Sequence, residues 1–348
     1  MSRNNTRLPG PLFIDIDGVE LTAEDRDILR HPLVGGVIYF RRNFISREQI
    51  TRLTQEIKAL RSPELLIAVD HEGGRVQRFR DGFTVLPPVN TIGQLYAQEP
   101  QRCLDYAYQH GWLMAAELRE VGIDFSFAPV LDLDYARSEV IGDRAFHASP
   151  QAVAQIAQYY IRGMNAAGMA ASGKHFPGHG WAVEDSHVAI PSDARDLETI
   201  LQQDVMPYRR LLGHGLAAVM PAHVIYTQVD TLPACFSQHW LQQILRRELG
   251  FDGLIISDDL SMQGAVVVSP DIVERAHVAL EAGCEMLLLC NDRSAVMATL
   301  DTLHYQGSAL AQRRMAAMRA TPNNAVAIAD LRSSAAWHSA RRVLEELG

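Results

Sequence analysis

Short apolar runs recur along the chain and alternate with longer segments in which the apolar positions have helical spacing. Eight of these runs predict buried strands, because each is only four to six residues long. Helices are predicted after most of them, with Thr22 and Ser46 as the N-caps of the first two. The predicted strands cover residues 12–16, 36–40, 65–69, 125–130, 167–171, 217–220, 253–257 and 286–290.

Continuous apolar strands are typical of a parallel sheet that is buried on both faces. Eight strand–helix repeats in 348 residues predict the α/β class and a single (β/α)8 TIM-type barrel with additional C-terminal helices. We expect one catalytic domain, with the barrel over about residues 11–320 and a helical tail over about 325–348. The alternative is a doubly wound open sheet, but the first strand is followed by Asp17-Gly18 and not by a Gly-rich phosphate turn.

Polar side chains gather where the predicted strands end. In a barrel of this kind the active site lies at the carboxyl ends of the strands, so these residues are the candidate site. They are Asp70, Asp132, Lys174, His175, His223, Asp258 and Asn291.

The most distinctive stretch runs from Gly173 to Gly180 and on to His187, and it is predicted to be a Gly-rich loop after the fifth strand. Asp185 lies two positions before His187 and could hold one ring nitrogen, which leaves the other nitrogen to transfer a proton. Asp258 at the end of the seventh strand is a candidate carboxylate nucleophile. The alternative interpretation is a solvated loop histidine and an aspartate that caps a turn.

Composition narrows the classes of function. The net charge is −9 with no basic stripe, which argues against nucleic-acid binding. The first ten residues contain no apolar signal-peptide core, and no apolar run reaches the length of a membrane span. The four cysteines are scattered, which is typical of a reducing compartment. We therefore expect a cytoplasmic protein without a membrane partner.

A metal site is not expected. His175 and His179 are four residues apart, but Pro177 and Gly178 between them disfavour the helix that would align the two imidazoles. The chain has no HExxH spacing, no P-loop and no Gly-x-Ser-x-Gly elbow. The sequence thus predicts neither a metal nor another cofactor.

Five motifs occur along the chain in this order: Asp70-His71-Glu72-Gly73-Gly74-Arg75-Val76-Gln77-Arg78, Gly142-Asp143-Arg144-Ala145-Phe146, Lys174-His175-Phe176-Pro177-Gly178-His179-Gly180, Asp185-Ser186-His187 and Ser257-Asp258-Asp259-Leu260-Ser261-Met262. Together, and in the family's order, they resemble glycoside hydrolase family 3. Within it, the resemblance is to the single-domain bacterial β-N-acetylglucosaminidases of cell-wall recycling, and it extends over about residues 11–320. His71 is a departure, because the family often has glutamine there.

The resemblance implies a role for each matching residue. Asp258 is implied to be the nucleophile that forms a covalent glycosyl-enzyme, with His187 as the acid/base and Asp185 as its partner. The implied substrate is a small sugar, β-linked N-acetylglucosamine on 1,6-anhydro-N-acetylmuramic acid with or without peptide, which is hydrolysed with retention by a monomer. The implied sugar-binding residues are Asp70, Arg78, Arg144, Lys174 and His175.

Three alternatives remain open from the residues alone. A histidine acid/base does not repel phosphate as a carboxylate does, so a phosphorylase with the same nucleophile is possible. A non-catalytic sugar-binding barrel would show no turnover, and a barrel metallohydrolase would be inactivated by a chelator.

Overall fold

The computed structural model describes residues 9–183, 190–321 and 328–347. Within these ranges the chain alternates between strands and helices, and eight of the strands form two parallel sheets. The strands are β1 (Leu12–Ile14), β2 (Val34–Tyr39), β3 (Leu66–Val69), β4 (His71–Gly73), β5 (Val76–Gln77), β6 (Phe125–Ser126), β7 (Ala171–Phe176), β8 (Ser192–Asp193), β9 (Leu216–Pro221), β10 (Ile225–Tyr226), β11 (Leu254–Ile255) and β12 (Leu287–Leu289).

The five-stranded sheet has the order β12-β1-β2-β3-β6, and the three-stranded sheet has the order β11-β9-β7. Every neighbouring pair in the two sheets is parallel. Two single-residue bridges lie between the sheets: Val130 pairs with Lys174, and Ile256 pairs with Met286. The fold is therefore α/β with parallel sheets, as the continuous apolar runs predict.

Helices follow most of the strands, and side chains cap the N-termini of most of the α-helices. Thr22 and Asp25 form a capping box at the first helix, and Ser46 accepts a hydrogen bond from the Gln49 amide at the second, so both predicted N-caps are confirmed. The segment His239–Glu248 is a π-helix. The α-helices are α1 (Ala23–Leu29), α2 (Arg47–Ala59), α3 (Val89–Gln94), α4 (Pro100–Glu120), α5 (Pro150–Ala166), α6 (Leu197–Gln202), α7 (Met206–Leu211), α8 (Gln263–Val266), α9 (Ile272–Ala282), α10 (Arg293–Thr302), α11 (Ala309–Ala316) and α12 (Ala335–Glu345).

The fifth predicted strand is misplaced. The strand β7 begins at Ala171, where the prediction ended, and it continues to Phe176. Lys174 and His175 thus lie inside a fully buried strand and not in a loop after it. The prediction from apolar runs failed here because both polar side chains find charged partners in the interior, which offsets the cost of burial.

The last helix, α12, packs against α4. Trp337 is buried and donates from its indole nitrogen to Oε1 of the buried Glu117, at 2.8 Å. The amide and hydroxyl of Thr84 donate to the two oxygens of the same carboxylate. Glu117 of α4 therefore links the C-terminal helix to the connection that follows β5.

Candidate active site

Lys174 stands at the centre of the candidate site, and its side chain is only 3% exposed. Its ammonium lies 2.8 Å from Oδ1 of Asp70 and 2.7 Å from Oε1 of Glu72. Burial by itself lowers the pKa of Lys174, but the two carboxylates outweigh that effect and raise it. The lysine is therefore a fixed positive charge within the site.

Asp70 and Glu72 flank His71 at the end of β3 and in β4. Residues two apart in an extended chain face the same side, and here that side carries the two carboxylates. Glu72 accepts a bidentate pair of hydrogen bonds from Arg144, from Nε at 2.8 Å and Nη2 at 2.9 Å. Burial acts to raise the pKa of Glu72, but Arg144 and Lys174 lower it to about 2, so it is ionised at neutral pH.

Arg78 completes this network from the strand β5 side, where its Nη2 lies 3.4 Å from Oδ2 of Asp70. The pKa of Asp70 is held well below its usual value against the effect of burial, because the charges of Lys174 and Arg78 are close to it. Three cations and two carboxylates are thus interleaved. They supply both donors and acceptors to a polar ligand such as a sugar.

His175 is oriented by Asp132, with its Nδ1 2.7 Å from Oδ2 of that carboxylate. The other oxygen of Asp132 accepts the backbone amides of His179 at 2.7 Å and of His175 at 3.2 Å. Burial acts to raise the pKa of Asp132, but His175 and these hydrogen bonds lower it to about 2. Asp132 therefore fixes both the imidazole and the backbone that follows β7.

Asp258 and Asp259 follow β11 and line the same cavity as the residues above. Asp259 accepts hydrogen bonds from the amides of Ser261 and Cys290, and burial raises its pKa to about 7. A carboxyl group that is half protonated at neutral pH and already holds two amides is a poor nucleophile. The neighbouring Asp258 also accepts a backbone amide, that of Asp259, at 2.8 Å.

The cavity at these strand ends has a volume of about 360 Å³, which is within the usual range for small-molecule sites. It brings together six of the eight residues to which the family resemblance assigns a role. The other two, Asp185 and His187, lie outside the described residues. The polar side chains that line the cavity are Asp70, Glu72, Arg75, Arg78, Arg144, Lys174, His175, His179, Asp258, Asp259 and Asn291.

Glu72 and His179 line the cavity, but the sequence analysis gave neither of them a role. Glu72 could have been predicted from its spacing, because it lies two positions after Asp70 at a strand end and so faces the same side of the chain. His179 is buried, and burial followed by the neighbouring His175 lowers its pKa to about 4, so its ring is neutral. His71 instead packs against Phe79 and Phe83 away from the cavity, which explains why this departure from the family pattern leaves the site intact.

Among the described residues no group of three or more histidine, cysteine, aspartate or glutamate side chains is arranged to hold a metal ion. In the same part of the chain, no helix is both long and apolar enough to cross a membrane.

Known proteins are similar to this chain in sequence and in architecture. Residues 12–320 match the glycosyl hydrolase family 3 N terminal domain. A β-hexosaminidase of Nitrosospira multiformis is 54% identical over 90% of each chain. One of Thiobacillus denitrificans is 53% identical over 97% of this chain and 94% of its own. The crystal structure of NagZ from Neisseria gonorrhoeae in complex with N-trifluoroacetyl-D-glucosamine is 44% identical, covers 98% of both chains and superimposes with a TM-score of 0.92.

Proposed function

The chain belongs to glycoside hydrolase family 3, and we propose that it is a retaining exo-β-N-acetylglucosaminidase. The observation that carries the proposal is the single cavity in which Asp258 lies together with Asp70, Arg144 and Lys174. The relatives support the sugar specificity, because two of them are named β-hexosaminidases and a third was crystallised with an N-acylated glucosamine.

In the proposed reaction the carboxylate of Asp258 attacks the anomeric carbon while the bond to the aglycone oxygen breaks. His187, oriented by Asp185, donates a proton to that leaving oxygen. In the second step His187 removes a proton from water, which attacks the same carbon and releases Asp258. Two inversions give net retention of the β configuration, with His187 in place of the carboxyl acid/base of most glycosidases.

The other five predicted residues hold the sugar in this proposal. Asp70 has acceptor oxygens for hydroxyl groups, whereas Arg78, Arg144 and Lys174 have donor nitrogens for hydroxyl and acetamido oxygens. His175 is oriented by Asp132, which leaves its other ring nitrogen for a hydroxyl group. The dense pairing among these groups supports the proposal, because a site whose charges already hold one another loses little entropy when a sugar binds.

We infer that the two parallel sheets are parts of one (β/α)8 barrel that spans about residues 11–320. The two bridges between the sheets support this closure. Main-chain hydrogen bonds at both seams also support it, from Leu131 to Lys174 at 2.7 Å and from Ser257 to Met286 at 2.8 Å. In this proposal the chain is a single catalytic domain, with the tail over about residues 325–348 held on the barrel through Trp337.

The proposed substrates are peptidoglycan fragments that end in β-linked N-acetylglucosamine on 1,6-anhydro-N-acetylmuramic acid, with or without peptide. We propose that a monomer acts on them in the cytoplasm during cell-wall recycling. The support is the family resemblance together with the likeness to NagZ of Neisseria gonorrhoeae. The phosphorylase alternative has no support from the relatives described above, whose names refer to hydrolysis.

The test compares p-nitrophenyl β-N-acetylglucosaminide with the plain β-glucoside, with and without phosphate. We expect rapid release from the acetamido sugar alone and the same rate in both buffers. Proton NMR of the first product should show the β anomer before mutarotation. Release that requires phosphate, or an α product, would contradict the proposal. Inactivation by a chelator would instead support the metallohydrolase alternative.

A further inference from the structure

Trp181 lies three residues before the segment 184–189, which contains Asp185 and His187. Two guanidinium groups lie over its indole, that of Arg137 at 4.1 Å and that of Arg195 at 4.6 Å from the ring centroid. The ring of Tyr135 meets the indole edge-on at 5.2 Å. Cation–π and edge-to-face contacts both restrict where an aromatic ring can lie. Trp181 is therefore held by side chains from before and after it in the sequence.

Arg195 holds the other side of the same segment. Its Nε and Nη2 donate to the carboxylate of Asp193, with distances between 2.6 and 3.1 Å. Its Nη1 lies 2.9 Å from Oδ2 of Asp204 and donates to the hydroxyl of Tyr135. Both carboxylates are almost fully withdrawn from water, at 1% and 0% side-chain exposure. A planar guanidinium with this many partners has one orientation available to it.

The chain on both sides of the segment is docked on the scaffold. On the far side, β8 pairs with β10, and the Thr227 amide donates to the carbonyl of Asp193 at 2.9 Å. On the near side, a Cβ added at Gly180 would lie 1.9 Å from the carbonyl oxygen of Leu133, so only glycine allows this close approach. Arg195 connects these two docked flanks directly.

We infer that Arg195 is a positioning residue for the acid/base, because through Trp181 and Asp193 it fixes the described chain on both sides of the segment 184–189, which contains His187. The inference rests on the proposed function. Trp181 and Asp193 are both direct partners of Arg195, so a substitution of Arg195 loosens both flanks at once. Small displacements of a proton donor from the leaving oxygen slow catalysis severely.

The inference is tested with aryl β-N-acetylglucosaminides of graded leaving-group ability. 2,4-Dinitrophenolate leaves without protonation, whereas p-methoxyphenolate needs the acid. For Arg195→Lys we expect kcat/KM to fall about tenfold or more with the poor leaving group and less than about threefold with the activated one. Trp181→Leu, which removes the ring and leaves the ion pairs, should give the same steeper dependence on the leaving group.

Arg246 provides a matched control. It pairs with Glu285 at 2.8 Å and lies over the ring of Phe251 at 5.3 Å, like Arg195 over its own aromatic partners. It is located before β11, at the opposite end of that strand from Asp258. Arg246→Lys should lower stability, but it should leave the leaving-group dependence equal to that of the wild type.

Each result decides the question. An equal loss of kcat/KM across the whole series in Arg195→Lys and Trp181→Leu, as in the control, overturns the positioning role and leaves the proposed function standing. If Arg195→Lys does not fold, Trp181→Leu carries the same comparison. A wild-type enzyme that cleaves none of the glycosides overturns the proposed function, and this inference with it.

Discussion

The ammonium of Lys174 lies 2.7 Å from the carboxylate of Glu72, although their side chains are only 3% and 5% exposed. Glu72 also accepts both hydrogen bonds of the bidentate pair from Arg144. One carboxylate therefore balances two cations in the wall of the cavity. Removal of one partner of a buried pair leaves an uncompensated charge, and the cost of that charge exceeds the value of the pair itself.

Glu72→Gln keeps the shape of the side chain and removes its charge. We expect a loss of about 2–4 kcal/mol in the free energy of unfolding, since Arg144 loses its counter-ion while Lys174 keeps Asp70. We also expect kcat/KM for p-nitrophenyl β-N-acetylglucosaminide to fall about tenfold or more, because two cations of the proposed sugar site are reoriented. Urea denaturation and steady-state kinetics measure the two effects.

Glu56→Gln is the matched control for this variant. Glu56 pairs with Arg26 at the surface, where both side chains are more than a third exposed. Such pairs contribute about 1 kcal/mol or less, and this one does not line the cavity. Equal effects of the two substitutions on stability and activity would contradict the role assigned to Glu72.

His71 gives a pH-dependent prediction. Burial, followed by the charges of nearby groups, lowers its pKa to about 3, whereas in the unfolded chain it is close to 6.5. Between these values the unfolded state binds the proton and the folded state does not, so stability falls as the pH falls from 6.5. The limiting slope for one such group is about 1.4 kcal/mol per pH unit.

His71→Gln removes this proton uptake and restores the residue that the family often has here. The stability lost between pH 7 and pH 4.5 should be smaller in the variant than in the wild type, as measured by urea denaturation at each pH. His110 is the internal standard, because burial also lowers its pKa, to about 4, and it remains in both proteins. Parallel pH profiles for the two proteins would mean that folding does not lower the pKa of His71, which contradicts the prediction.

Much of the fold follows from the hydrophobic pattern. The predicted strands around residues 36–40, 65–69 and 217–220 overlap the observed β2, β3 and β9. Their side chains are apolar because both faces of a parallel sheet are buried, and such apolar runs can be recognised in a single sequence. The short pairs β4–β5 and β8–β10 were not predicted, since two- and three-residue strands carry no periodicity to detect.

Part of the site could be predicted from residue types and from their positions relative to the predicted strands. Asp70, Lys174 and Asp258 were named because they lie at the ends of the predicted strands, where a barrel has its active site. Glu72 was missed because its role depends on Arg144, which is 72 positions away in the sequence. The same applies to Arg195, whose partners Trp181 and Tyr135 come from separate parts of the chain. Contacts of this kind are set by tertiary packing, which local pattern does not contain.

His187→Ala tests the proposed acid/base. Without a proton donor, kcat/KM should fall about 100-fold or more for p-methoxyphenyl β-N-acetylglucosaminide and far less for the 2,4-dinitrophenyl glycoside, because only the first leaving group needs protonation. Asp185→Ala should show the same trend more weakly, since the imidazole remains and loses only its partner. If both glycosides slow equally in the first chemical step, His187 is not the acid.

The two neighbouring carboxyl groups after β11 give the most direct test of the nucleophile. Asp258→Asn replaces the attacking oxygen with a neutral amide, so kcat should fall at least about 1,000-fold while the fold survives.

Asp259→Asn is the matched control, because its Oδ1 can still accept the amides of Ser261 and Cys290. The pKa of Asp259 is raised to about 7, so this substitution removes a charge that is only half present at neutral pH. We expect it to retain at least about a tenth of the wild-type kcat, because this residue only supports the main chain next to Asp258. The covalent intermediate provides a second readout, since mass spectrometry after a slow 2-fluoro substrate should find the sugar on the peptide with Asp258. Full activity in Asp258→Asn, or label that moves to Asp259, would exchange the roles of the two residues.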